Sequence, residues 1–244
     1  MMKAMILSAG YGKRLYPLTL KCPKPLLKIN GETLLSNTLK FLERFGIKQV
    51  VINVHYLGEQ IVDYISKNKF NLSITIVKEK EKILDTGGGI LNAMHHFSNE
   101  AFLIVNPDTI WNLNYLKELK LMEKAFFLNK KIKCFMLVVN KEKSFDKSFQ
   151  GDFNLENNLI NRNNKDDFKY IYTGLQIIKP ETFSSLDVEV FSINRICLSA
   201  RPCGRMYFYL LLKWVWLEIL LQRLKTSVQK LTDIMGVKGK SFTT

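Results

Sequence analysis

The chain has 244 residues, 47% hydrophobic and 24% charged, with 13 Gly and 6 Pro, a composition that excludes a disordered, collagenous or low-complexity protein. At this length folding buries roughly 70 to 75% of the unfolded surface, so stability needs no covalent staple. The formal net charge of +14 suggests nucleic acid, anionic lipid or a phosphorylated small molecule as partner without choosing among them.

The apolar stretch at Met1 to Gly10 runs straight into Gly-Tyr-Gly-Lys-Arg and is too short and wrongly flanked for a signal peptide. Lys3 to Ser8, Gln49 to Val54, Leu72 to Val77, Ala101 to Val105 and Lys133 to Val139 read as strands rich in Val, Ile, Leu and Phe. Between them Thr33 to Phe45, Leu57 to Lys67, Gly88 to His96 and Leu113 to Leu128 carry apolar residues at helical spacing. Strands without polar alternation, separated by helices, predict a doubly wound α/β fold: a mostly parallel sheet with helices on both faces. Ser144 to Asp167 is polar and Asn-rich and predicts a loop, followed by a strand-like pair around Phe168 to Ile178.

The composition changes near the C-terminus. Residues 1 to 196 contain 19 Asn and the final 48 none, so one domain over 1–196 and an atypical hydrophobic, basic tail over 197–244 are expected. The tail reads equally as a genuine helix, with Leu217, Leu220, Leu221, Leu224, Val228 and Leu231 on one face, or as the product of a reading-frame change. Its aromatic part, Tyr207 to Trp216, is compatible with a helix at a membrane surface or partner. The exposed Leu and Trp face predicts self-association or poor solubility, which light scattering would reveal. Met206 to Leu221, the nearest approach to a membrane span, is interrupted by Lys213 and Glu218 and shorter than the roughly 20 residues a bilayer needs, so no span is expected. Cys22, Cys134, Cys197 and Cys203 form no C-x-x-C pair and have no His at metal spacing; they read as reduced thiols of a cytoplasmic protein. The tail carries 8 Lys/Arg against 2 Asp/Glu, and the other basic residues are scattered. With no basic stripe and no interleaved stacking aromatics, nucleic acid is not expected as a partner.

In a sheet of this kind ligands bind beyond the carboxyl ends of the strands. The first strand is followed by Ala9-Gly10-Tyr11-Gly12-Lys13-Arg14, and Lys24 stands between Pro23 and Pro25. Glycines there let backbone N–H groups approach phosphate oxygens, Arg14 can fork onto a phosphate, and the stiffened Lys24 places a point charge opposite. The dinucleotide fingerprint and the Walker pattern are both absent. His55 ends a strand and reads equally as a hydrogen-bonded histidine or a substrate contact. The charge runs Lys78 to Lys82 and Lys141 to Lys147 read as solvated faces.

The stretch Leu7 to Thr19 with Pro23-Lys24-Pro25 resembles the signature of the sugar-1-phosphate nucleotidyltransferases, close to L-x-A-G-x-G-x-R-L-x-P-L-T followed by P-K-P. Asn53 to Leu57, Leu84-Asp85-Thr86-Gly87-Gly88-Gly89-Ile90, Asn106-Pro107-Asp108 and Tyr172-Thr173-Gly174 resemble later motifs of the branch holding N-acetylmuramate-1-phosphate uridylyltransferases and mannose-1-phosphate guanylyltransferases. The resemblance spans about residues 3 to 194. It implies an enzyme joining a nucleoside triphosphate to a sugar 1-phosphate. Ala9, Gly10, Gly12 and Lys13 would cradle the triphosphate, with Arg14 on its phosphates. Lys24 would take the sugar phosphate. Thr86, Gly87 and Gly88 would approach the nucleobase, the glycines admitting a flat ring. Asp108 would hold Mg²⁺, and Thr173 and Gly174 would line the sugar pocket. The family's second metal-binding Asp, in a segment like D-V-G-T-P, has no counterpart here, and Asp233 lacks the flanking pattern. The alternatives are a catalytically impaired nucleotide-binding protein and a cytidylyltransferase acting on phosphocholine.

Overall fold

The computed structural model describes residues 2–144, 150–156, 159–161, 168–198 and 206–210. The strands are β1 (Lys3–Leu7), β2 (Lys28–Ile29), β3 (Glu32–Thr33), β4 (Gln49–Val54), β5 (Ser73–Lys78), β6 (Phe102–Val105), β7 (Cys134–Asn140), β8 (Asn154–Glu156), β9 (Leu159–Asn161), β10 (Tyr170–Ile178) and β11 (Met206–Leu210). The helices are α1 (Leu34–Phe45), α2 (Gly58–Lys67), α3 (Asp85–Asn92), α4 (Asn114–Leu128) and α5 (Asn194–Leu198). Seven strands form one sheet in the order β11-β7-β10-β6-β1-β4-β5, while β2-β3 and β8-β9 are separate hairpins. β1 runs parallel to β4 and β6, and β4 parallel to β5. Only β10 opposes its neighbours, pairing antiparallel with β6 and β7.

The expected doubly wound architecture follows from where the apolar side chains go. Ala4 and Ile6 of β1 face a core shared with Leu39, Leu42, Ile61 and Met122, from α1, α2 and α4. Met5 faces the opposite core with Ile90, Phe97, Phe183 and Phe191. A sheet buried on both faces has no use for polar alternation, which is why β6 and the first six residues of β7 are wholly buried. α1 starts where the Thr33 hydroxyl accepts the Ser36 N–H at 3.1 Å and stops at Gly46, whose φ of 104° closes the helix.

Differences from expectation have local causes. The helix expected over Gly88 to His96 begins earlier, at Asp85, and gives way to a 3-10 turn at Met94–Phe97; its three glycines, weak helix formers, are held by close packing described below. The expected strand pair near Phe168 to Ile178 is one strand, β10, with a register shift between Tyr172 and Gln176. Part of the expected loop after Ser144 forms the β8-β9 hairpin. In the tail, Met206–Leu210 is a strand parallel to β7 and not the start of a helix; the face from Leu217 to Leu231 and Asp233 lie outside the described residues. No helix among the described residues is long and apolar enough to cross a membrane.

Tyr115 is fully buried beside Trp111, its hydroxyl has no hydrogen-bond partner among the described residues, and burial pushes its phenol pKa well up. An unsatisfied buried hydroxyl is a net cost. Tyr115→Phe is therefore expected to leave stability unchanged or raise it by up to about 1 kcal/mol, read as a midpoint increase of up to about 4 °C in calorimetry.

Candidate active site

The carboxyl ends of β1 and β6, with the turns that follow β1 and the stretch leading into α3, enclose a cavity of about 360 Å³. Its wall includes Ala9, Gly10, Gly12, Lys13, Arg14, Lys24, Thr86 and Asp108, eight of the residues expected from the sequence. Gly12 is in the left-handed region at φ 65°, and a Cβ there would lie 3.0 Å from Thr19 Cγ2. Its carbonyl accepts the Thr19 hydroxyl and the Leu15 N–H, each at 2.9 Å, which folds the chain back so that Lys13 and Arg14 flank the cavity. A Cβ at Gly10 would meet no protein atom within 4 Å.

Lys24 begins a 3-10 turn with Pro23 before it and Pro25 inside it. Its Nζ lies 2.5 Å from Asp108 Oδ2, joining the wall after β1 to the wall after β6. Arg14 is exposed and makes no ion pair among the described residues, so its guanidinium is open to an anion. Lys24 is thus paired with Asp108, one of two carboxylates on the wall with Asp85, whereas Lys13 and Arg14 make no ion pair among the described residues.

The Asn106–Asp108 loop is held from behind. The Asn106 N–H donates to Gly174 O at 2.7 Å, and the Asn106 carbonyl accepts Trp111 Nε1–H at 3.3 Å. Trp111 is itself locked to α1, its N–H donating to Asn37 Oδ1 at 2.9 Å and its carbonyl accepting Asn37 Nδ2–H at 3.2 Å.

Four expected residues sit elsewhere. Thr173 is buried, its hydroxyl donating to Leu137 O at 2.9 Å, and Gly174, at φ 86°, leaves room for Asn106, which a Cβ would approach to 2.8 Å. Neither lines the cavity; they support the Asp108 loop. Gly87 and Gly88 also lie off the wall, and their N–H groups both donate to Phe191 O. A Cβ on Gly87 would fall 2.3 Å from the Phe191 ring and one on Gly88 2.0 Å from Glu189 O. The ring of Phe191 thus packs on Gly87, and the backbone of Glu189 on Gly88.

Several wall and support residues were given no site role by the sequence reading, although Asn53, Asp85 and Asn106 lie within its motifs. Ser8, Asn53, Asp85 and Asn106 line the cavity; a polar Asn inside the apolar run Gln49 to Val54 was the available signal. Asp85 adopts φ 59°, which no composition rule reveals. Glu79, in a run read as solvated, is buried, whereas Lys80, Glu81 and Lys82 are exposed. His55 lies with Nδ1 2.6 Å from Glu79 O, which requires the proton on Nδ1, and it is not part of the cavity wall.

A glycine-walled cavity with free cations at the carboxyl ends of parallel strands defines a phosphate-handling α/β protein. The chain belongs to the nucleotidyl transferase family, whose description matches residues 3–145, and is an enzyme of that class. It is 32% identical over 189 residues to the N-acetylmuramate alpha-1-phosphate uridylyltransferase of Neisseria meningitidis, covering 76% of this chain and 79% of that one. It is 35% identical over 127 residues to the D-glycero-alpha-D-manno-heptose 1-phosphate guanylyltransferase of Campylobacter jejuni, covering 52% and 56%. In fold it is similar to HddC from Yersinia pseudotuberculosis complexed with GMP-PN, with a TM-score of 0.71 at 22% identity over 95% of this chain and 100% of that one.

Proposed function

We propose that this enzyme transfers a nucleotidyl group from a nucleoside triphosphate to a sugar 1-phosphate, with UTP or GTP and an N-acetylmuramate or mannose type of sugar phosphate as substrates. The observation that carries the reading is the meeting of Arg14, Lys24, Asp108 and the Gly10–Gly12 turn around one cavity. An oxygen of the sugar phosphate attacks the α-phosphorus. The new P–O bond forms as the bond from the α-phosphorus to the β-phosphate bridging oxygen breaks, and pyrophosphate leaves with that electron pair. No covalent enzyme intermediate is required, so the protein's task is to align two anions and offset their repulsion.

Each residue then has a role set by its place in the wall. The backbone from Ala9 to Gly12 and the Lys13 and Arg14 side chains receive the triphosphate. Lys24 turns from Asp108 to the sugar phosphate when that anion arrives. Thr86 and Asp85 border the base. Among the described residues no three His, Cys, Asp or Glu side chains gather as a metal group, but Mg²⁺ takes only one or two carboxylates together with phosphate oxygens. The Asp108 carboxylate, 32% exposed on the cavity wall, fits that requirement. Bound there, Mg²⁺ would supply charge neutralisation to the phosphates.

The test is pyrophosphate release from a panel of nucleoside triphosphates against sugar 1-phosphates and phosphocholine, with and without Mg²⁺. The expected result is turnover with UTP or GTP and a sugar 1-phosphate in the presence of Mg²⁺. Nucleotide binding without release from any pair would instead favour the impaired nucleotide-binding protein, consistent with the absent D-V-G-T-P segment. Release with CTP and phosphocholine would favour the cytidylyltransferase.

A further inference from the structure

Glu79 follows β5 in a run of Lys and Glu, yet it is only 4% exposed. Both carboxylate oxygens are used: Oε1 accepts Asn53 Nδ2–H at 2.7 Å and Oε2 accepts the Leu84 N–H at 2.8 Å. Asn53 passes the connection on, its Oδ1 accepting the Ser8 N–H at 2.9 Å. The Glu79 backbone is pinned as well, its N–H donating to Val54 O at 2.9 Å. α3 closes over the group at Gly89, where a Cβ would lie 2.7 Å from Glu79 Oε1 and 2.8 Å from Asn53 Nδ2. One carboxylate thus ties the chain leaving β1, the end of β4 and the approach to α3.

A buried carboxylate is costly unless its oxygens are paired, and hydrogen bonds to a charged acceptor are the stronger kind. Glu79 makes no ion pair among the described residues; its charge is directed entirely at two neutral donors that belong to the cavity's framework. On the far side the same stretch is tied again, Thr86 Oγ1 accepting the Ile193 N–H at 2.8 Å and Leu84 O accepting the Phe191 N–H at 3.2 Å. Asp85 and Thr86 are thereby clamped between two anchors at a set distance from the phosphate turn.

We propose that Glu79 is a positioning residue for the nucleoside triphosphate: it holds the Leu84–Thr86 wall in register with the Ser8–Gly12 turn, so that base and phosphates are received by walls already in place. The inference rests on the nucleotidyl-transfer reading. It assigns Glu79 to one substrate only, because the Lys24–Asp108 side of the cavity is held by Trp111, Asn37 and Gly174 and, among the described residues, shares no hydrogen bond with Glu79. Losing the anchor lowers the fraction of protein with a competent wall, and apparent affinity falls by that fraction.

Glu79→Gln keeps the size but replaces one acceptor by a donor, so either Leu84 N–H or Asn53 Nδ2–H loses its partner. The expected result is a rise of about tenfold in KM for UTP. KM for N-acetylmuramate 1-phosphate and kcat should change less than about twofold, and the Leu84 amide, or the Ser8 amide where Asn53 turns its Oδ1 to the new donor, should lose its protection from hydrogen exchange while β1 and β4 keep theirs. A variant in which both KM values move together, or neither moves, overturns the proposal. If the wild-type protein releases no pyrophosphate with any pair, the transferase reading fails, and UTP affinity by calorimetry in the two proteins then decides the role of Glu79 alone. Should the variant not fold, exchange in the wild-type protein decides: slow exchange at Leu84 before UTP is added supports a preformed anchor, and exchange as fast as in an open loop contradicts it.

Discussion

Lys24→Ala is expected to lower kcat/KM for the sugar 1-phosphate by about 10²- to 10³-fold, the scale on which enzymes lose rate when one preorganised charge partner is removed from a reacting oxyanion. The side chain is 19% exposed and, among the described residues, its polar partner is Asp108, so the thermal midpoint should move by no more than a few degrees. The same change leaves the Asp108 carboxylate without its cation. Mn²⁺ titrated into the nucleotide-free variant should therefore bind more tightly than to the wild-type protein, a signal in electron paramagnetic resonance that is independent of turnover. Unchanged kinetics together with unchanged Mn²⁺ affinity would show that the 2.5 Å pair has no part in the chemistry. Arg14→Ala is expected to show a loss of similar size expressed in the nucleoside triphosphate, because its exposed guanidinium has no competing carboxylate to leave.

Gly88→Ala is expected to lower stability, not activity, in the first instance. The added Cβ would fall 2.0 Å from the backbone carbonyl of Glu189, two residues before Phe191, whose N–H is bonded to Leu84 O and whose carbonyl accepts the Gly87 and Gly88 N–H groups; a backbone oxygen so close to that anchor cannot rotate away as a side chain tip can. Overpacking of this kind costs about 3 kcal/mol. The gain in helix propensity from Gly to Ala returns about 1 kcal/mol, leaving a loss of about 2 kcal/mol and a midpoint lowered by about 4 to 8 °C in a chain of this size. Calorimetry reads the effect directly. A midpoint equal to that of the wild-type protein would mean that the 189–193 segment does not press on α3 in solution. Nucleotide contact at Gly88 would produce the opposite pattern, a raised KM with an unmoved midpoint.

The two substitutions separate what local sequence can and cannot reveal. Lys24 between two prolines, Arg14 after a Gly-x-Gly turn and Asp108 after a buried strand are legible because charge at the end of an apolar run is a local anomaly with few structural uses. Gly87 and Gly88 are equally visible in the sequence, yet their purpose depends on Phe191 and Glu189, about a hundred positions away. Thr173 and Gly174, beside the register shift in β10, likewise depend on distant partners, Leu137 and Asn106. Glu79 is the clearest instance. Flanked by lysines it looks solvated, and nothing within the run Lys78 to Lys82 distinguishes the one carboxylate that Asn53 and Leu84 enclose.

By itself the sequence determined the order of the main strands and helices from β1 to β7, the two-sided burial of the sheet and the cationic, glycine-bordered end of β1, because hydrophobic period and turn chemistry are properties of a few adjacent residues. The tertiary structure alone decided that Lys24 meets Asp108, that three successive glycines serve as contact surfaces for three different neighbours, and that a single buried carboxylate, through Asn53 and Leu84, joins the turn after β1 to the approach to α3. Those outcomes depend on distances between segments far apart in the chain, which only the closed sheet brings to a few ångströms.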